Sequence, residues 1–321
     1  MTDVKHRSIE TNGITMHIAE QGDGPLVVLC HGFPECWYSW RHQLPALAEA
    51  GYHAVAPDQR GYGQTDRPEP IAAYNIFQLT GDIVGLVHGL GEEQAVVVGH
   101  DWGAPVAWHC ALLRPDLFRA IVLLSVPYVA RSWKDPRPTE AMKRMAGDKE
   151  FYQLYFQEPG KAERELEADV RKTMRMLLYS ASGDPPPEKR WRYLFSKSER
   201  FIDTGTQPDT LPAWLTEQDI DYFTREFERT GFRGGLNWYR NRDHLWEQTQ
   251  FLSGAKLHQP ALFVAGEADA VIAMRRAAFD GLEEAIPNLR KKILLAGAGH
   301  WIQQERPAEV NQLLIEFLAS L

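Results

Sequence analysis

Six short runs rich in Val, Leu, Ile and Ala recur along the chain, at residues 26–29, 53–56, 95–98, 120–124, 261–265 and 292–295. Near-continuous apolar runs of this length suit strands buried on both faces of a parallel sheet, where neither row of side chains meets water. Ahead of them, residues 7–19 alternate in polarity around Asn12-Gly13. That dipeptide favours a tight hairpin, so the sheet is expected to open with an antiparallel pair. Between the runs the apolar spacing lengthens to the helical period, at about 41–50, 77–90, 105–113, 275–286 and 308–321. Strands alternating with helices predict an α/β fold with a mostly parallel sheet and helices on both faces.

The rhythm breaks at residue 127 and returns near 258. The intervening stretch is rich in Arg, Glu, Tyr and Trp, and its one loop-like string is Gly183-Asp184-Pro185-Pro186-Pro187. It reads as helices, with the charge-dense segment 163–172 as a solvated helix face. The expected organisation is therefore a core domain formed by 1–126 and 259–321, interrupted by an all-helical cap (lid) domain at 127–258.

Composition narrows the classes. In 321 residues, 44% are hydrophobic and 11% aromatic, which excludes a disordered or fibrous chain. Thirty-five Lys and Arg against 43 Asp and Glu leave a formal charge of −8, unsuited to nucleic acid or an anionic membrane, which are held by clustered cations. The N-terminus lacks an apolar leader, and no run approaches the ~20 apolar residues of a membrane span. Cys30, Cys36 and Cys110 fit neither a disulfide framework nor a paired-cysteine metal site. A cytoplasmic protein is expected, and a homodimer is compatible with the sequence.

Candidate chemistry sits at the ends of the strand-like runs. After 95–98 comes Gly99-His100-Asp101-Trp102-Gly103, the form of a nucleophile elbow, whose glycines allow a sharp strand-to-helix turn that lifts the central side chain above the sheet. An Asp between glycines otherwise serves as a turn former or helix cap. Its place at a strand-to-helix junction favours Asp101 as the nucleophile. After 26–29 comes His31-Gly32-Phe33-Pro34-Glu35, a turn that can offer the Phe33 amide to a developing oxyanion, paired with the amide of Trp102. After 261–265 the string Gly266-Glu267-Ala268-Asp269 supplies an acid, Asp269, with Glu267 as an alternative. The last run is followed by Gly297-Ala298-Gly299-His300. The order nucleophile, acid, histidine is that of the α/β-hydrolases. Ser125-Val126-Pro127 leaves the other acid position of such enzymes empty, and His31 and His100 form no metal-ligand spacing.

With these motifs, the chain resembles the hydrolase domain of the soluble epoxide hydrolases over nearly its whole length. The resemblance also rests on Trp37-Tyr38-Ser39-Trp40-Arg41, on Asp58 with Gly61-Tyr62-Gly63, and on two segments of the insertion, residues 152–160 and Asn237-Trp238-Tyr239-Arg240-Asn241. It implies that Tyr152 and Tyr239 reach from the cap onto the substrate oxygen.

These residue types suit an epoxide and water as substrates. An ionised carboxylate attacks an sp³ carbon without first losing a proton, and two phenols can protonate the departing oxygen. His300, oriented by Asp269, would then activate water against the resulting ester, with no metal and no organic cofactor. Haloalkane dehalogenases share the Asp, His and acid logic but need halide donors where this chain has Phe33 and the tyrosine pair. A non-catalytic ligand-binding receptor on the same fold is the alternative outside enzymes.

Overall fold

The computed structural model describes residues 3–321. Eight strands form one sheet: β1 (Lys5–Thr11), β2 (Ile14–Gln21), β3 (Leu26–Cys30), β4 (His53–Pro57), β5 (Ala95–His100), β6 (Phe118–Leu124), β7 (Ala261–Gly266) and β8 (Leu289–Leu295). Their spatial order is β1-β2-β4-β3-β5-β6-β7-β8. The expected hairpin is present, with Thr11 opposite Ile14 across Asn12-Gly13; β2 also pairs antiparallel with β4, and every later pairing is parallel.

Side-chain alternation divides the buried strands between two apolar layers. Val27, Leu29, Val96 and Val98 face one way. They pack on Leu44 and Leu47 of α1 (Gln43–Glu49) and on Val310, Leu314 and Phe317 of the C-terminal helix Pro307–Ala319. Val28, Cys30, Val97 and Ile121 face the other way, against α2 (Ile76–Gly89) and α3 (Gly103–Leu113). A strand buried on both faces has no polar row to place in water, hence the continuous apolar runs.

Between β6 and β7 the chain builds α4 (Pro138–Ala146), α5 (Val170–Ser180), α6 (Glu217–Thr230), α7 (Arg233–Arg240) and α8 (Arg242–Gln248). The segment departs from an all-helical reading: Glu150–Phe151 pairs antiparallel with Leu194–Phe195. Phe151 and Phe195 are aromatic residues of the kind favoured on a pleated, half-buried surface. The single helix expected at 275–286 is instead two short ones, Arg276–Asp280 and Leu282–Ala285, preceded by a third at Ala270–Met274. Arg275 and Gly281 leave helical geometry between them. Among the described residues no helix is long and apolar enough to cross a membrane.

The insertion is locked onto the sheet by contacts that tolerate little substitution. A Cβ on Gly234 would lie 2.2 Å from the Gly61 carbonyl oxygen, so the two backbones meet only because both residues are glycine. Trp238 Nε1 donates to the Arg60 carbonyl at 3.1 Å. Tyr38 stacks on Tyr222 with centroids 4.0 Å apart, and Arg41 pairs with Asp219 at 3.0 Å.

Candidate active site

At the end of β5 the backbone turns so sharply that Asp101 adopts φ +47°, a left-handed conformation that costs energy for any residue with a Cβ. The flanking glycines make the turn feasible. A Cβ on Gly99 would lie 2.1 Å from the Gly103 carbonyl oxygen, and one on Gly103 would lie 2.0 Å from that of Cys30. Asp101 is thereby lifted off the sheet at the start of α3.

The Phe33 amide donates to Asp101 Oδ1 at 2.8 Å, across a cis Phe33–Pro34 turn. The Trp102 amide makes no hydrogen bond to Asp101 at rest, so of the two expected oxyanion donors only Phe33 is engaged. Asp101 Oδ2 lies 3.4 Å from His300 Nε2, and His300 Nδ1 lies 3.0 Å from Asp269 Oδ2. Asp269 is buried and its other oxygen accepts from the Val271 amide at 2.8 Å, fixing the carboxylate toward the imidazole. Glu267 is exposed, which leaves Asp269 as the acid facing the histidine.

The charges reinforce one another. Burial pushes the Asp101 carboxyl up, but the hydrogen bond and charge of His300, with His100 and the Phe33 amide, outweigh it and hold the group below its ordinary range. Burial likewise opposes a charged His300, yet Asp269 and Asp101 together raise its pKa well above 6.5. The resting site is an imidazolium between two carboxylates.

Tyr152 and Tyr239 come from the insertion and line the cavity above Asp101 with Phe33, His300 and Asp269. Their rings are 6.0 Å apart at 74°, and each is over nine-tenths buried. Burial, with the charge of Asp101 nearby, pushes the Tyr152 hydroxyl up to about 12 and Tyr239 also upward, so both stay protonated. Gln153 Nε2 donates to the Tyr152 oxygen at 2.6 Å, which leaves the phenol's own hydrogen free to point into the cavity.

Sequence reasoning did not assign the buried polar groups beneath these residues. The Glu35 carboxylate accepts from the Gly32 amide at 2.9 Å, contacts His100 Nδ1 at 2.7 Å and is reached by Gln303 and Gln304. Burial pushes its pKa up, but the His100 charge and hydrogen bond and the Gly32 amide bring it down to about 2. His100 Nε2 and the Ser125 hydroxyl both donate to the His300 carbonyl, at 2.7 and 2.8 Å. Glu305 accepts from the amides of Gly183, Gly299 and Trp301 at 2.8–2.9 Å, and so ties the insertion to the histidine loop. Glu35 and His100 lie inside motifs visible in the sequence; Glu305, on a four-residue helix, has no local signal.

Comparison with known proteins matches this arrangement to one family. Residues 25–307 fit the model of the alpha/beta hydrolase fold. The chain is similar to Epoxide hydrolase A of Mycobacterium tuberculosis, 48% identical over 98% of this chain and 97% of that one. It is also similar to Epoxide hydrolase 2 of Siraitia grosvenorii, 42% identical over 99% of each. Among solved structures, an epoxide hydrolase from an endophytic Streptomyces superposes with a TM-score of 0.96 at 48% identity, covering 99% of this chain and 96% of that one. With relatives matched from end to end in sequence and in fold, the chain belongs to the epoxide hydrolases of the α/β-hydrolase fold.

Proposed function

We propose that the protein opens epoxides through a covalent ester on Asp101 and releases them as vicinal diols. The observation that carries this reading is the convergence of the Asp101–His300–Asp269 chain and two protonated phenols on one cavity. Asp101 Oδ1 is held by the Phe33 amide, which leaves Oδ2 to attack an epoxide carbon in line with the breaking C–O bond. Tyr152 and Tyr239 donate to the departing oxygen, which leaves as a hydroxyl rather than an alkoxide.

Ester formation removes the negative charge of Asp101. His300 then keeps only Asp269 as a carboxylate partner, so its proton affinity falls; it gives up its proton, which restores the phenol that lost one to the substrate, and becomes a base for water at the moment a base is needed. Water attacks Cγ as it gives a proton to His300, the amides of Phe33 and Trp102 hold the oxyanion that grows on Oδ1, and His300 hands that proton to Oδ2 as it departs with the diol; the new carboxyl then protonates His300 and restores the resting charges. One epoxide and one water are consumed, and Asp101 is regenerated carrying the oxygen of that water.

The reading includes a division into a core at 1–126 and 259–321 and a cap at 127–258, supported by Tyr152 and Tyr239 reaching the site from the second unit. It includes a cytoplasmic location, supported by three buried free cysteines. The test is His300→Gln: intact mass after mixing with styrene oxide should show one equivalent of adduct that persists. A folded variant that forms no adduct overturns the assigned order of steps.

A further inference from the structure

A second cavity of about 400 Å³ meets the first at Asp101, Tyr152 and Tyr239 and runs toward α4 and α8. Its walls are mostly apolar, with Trp102, Trp108, Phe151, Met142 and Met274 among them. Two guanidinium groups, Arg242 and Arg275, also line it. Among the described residues neither side chain has a carboxylate within ion-pair distance or any hydrogen bond, and Arg242 Nε is buried without a partner. The nearest acid in sequence, Asp243, is turned away onto the amide and hydroxyl of Thr139. Arg242 instead lies over the Trp102 ring, its Cζ 5.0 Å from the centroid.

Two like charges facing one apolar space are costly unless something anionic joins them. Burial, with the charge of Arg242, brings the Arg275 pKa down to about 10 although the charge of Asp101 opposes the shift, the direction expected of a crowded cation without an ion-pair partner. The first cavity, by contrast, contains His300 and Asp269 but no Arg or Lys. In a protein with a net charge of −8, a pair of cations without an ion-pair partner beside the nucleophile marks this arm as chemically distinct.

We propose that Arg242 and Arg275 bind the carboxylate of an epoxide substrate, directing the acidic end of the molecule into the second cavity and its epoxide ring onto Asp101. The inference rests on the epoxide-opening reading of the site and adds to it the residues that would select a substrate whose carboxylate lies across the second cavity from the ring. Guanidinium groups suit that role because a planar fork can give a carboxylate two parallel hydrogen bonds. Their charge also favours protonation-ready phenols, since both arginines act on Tyr152 to ease its deprotonation. A purely electrostatic role of that kind would serve acidic and neutral epoxides alike, so substrate discrimination separates the two.

The experiment compares 4-(oxiran-2-ylmethoxy)benzoate with its neutral carboxamide, matched in shape, and takes the ratio of their kcat/KM values. The wild type should favour the acid by about tenfold or more, the scale of a charge-assisted hydrogen bond. Arg242→Gln and Arg275→Gln should each cut that ratio several-fold, and using a ratio cancels any general loss of activity in a variant. A wild-type ratio near one, or a ratio unchanged in both variants, overturns the proposal. Should the variants fold poorly, the wild type alone decides: the diol acid should inhibit styrene oxide turnover about tenfold more strongly than the diol amide, and equal inhibition contradicts the assignment. Failure of the wild type to open any of these epoxides, styrene oxide included, would instead overturn the epoxide-opening reading itself.

Discussion

Replacing Asp101 by Asn isolates the charge switch that the mechanism assigns to His300. Asn is close in shape, tolerates a left-handed backbone such as φ +47° at this position, and can still accept from the Phe33 amide. What it removes is one negative charge 3.4 Å from His300 Nε2. At an effective dielectric of about 20, Coulomb's law gives that pair ~5 kcal/mol. The side chain of the ester intermediate is likewise uncharged, so the variant reproduces its electrostatics without substrate. The imidazole should therefore lose its proton at a lower pH in Asp101→Asn than in the wild type. The assay is an NMR titration of the His300 ring, assigned by the signal lost in His300→Gln and recorded on fresh protein before the amide can be hydrolysed. Stability should follow the same sign. The raised wild-type pKa contributes stability that is fully present below about 6.5 and is lost as pH rises through the folded value. The variant should lose less over that interval. Indistinguishable His300 titrations in the two proteins would refute the switch.

Changing both Tyr152 and Tyr239 to Phe should lower epoxide opening by at least about a hundredfold, the scale of general acid catalysis, in single-turnover kinetics of a variant with a native circular dichroism spectrum. Turnover near that of the wild type would mean that another acid protonates the oxygen. Glu305 offers a test of the histidine loop. Burial pushes its carboxyl from 4.5 up to about 7 despite three amide donors, so the group contributes stability that is present below 4.5 and disappears as pH rises through 7. The difference corresponds to ~3 kcal/mol. Melting curves from pH 5 to 8.5 should show the wild type losing stability relative to Glu305→Gln, by ~5 °C for a chain of this length. A difference that stays constant with pH would show that the three amides, and not burial, dominate.

The sheet was legible because strands buried on both faces leave an unbroken apolar run, as Val96, Val97 and Val98 do while pointing alternately into the two layers. Strand order was not, since Leu26 and His53 meet only after a crossover whose direction no local pattern encodes. The elbow was readable because Gly99 and Gly103 are demanded by backbone contact rather than by taste for a turn. The break at Gly281 is not legible because the apolar positions on its two sides, Ala278, Phe279, Leu282 and Ala285, keep helical spacing across it. Arg242, Arg275 and Glu305 look in sequence like ordinary charged helix residues. Only tertiary packing shows that the first two lack partners and the third gathers three amides.

The central claim is the ester on Asp101, and the fate of one oxygen atom tests it most directly. With enzyme in excess over styrene oxide in ¹⁸O-labelled water, hydrolysis at Cγ leaves the water's oxygen on the enzyme while Asp101 Oδ2 departs with the product. The first turnover should yield unlabelled diol, and mass spectrometry of the peptide containing Asp101 should show the ¹⁸O in its carboxylate. Labelled diol from an unlabelled enzyme would mean that water attacks the epoxide directly, and would contradict the account.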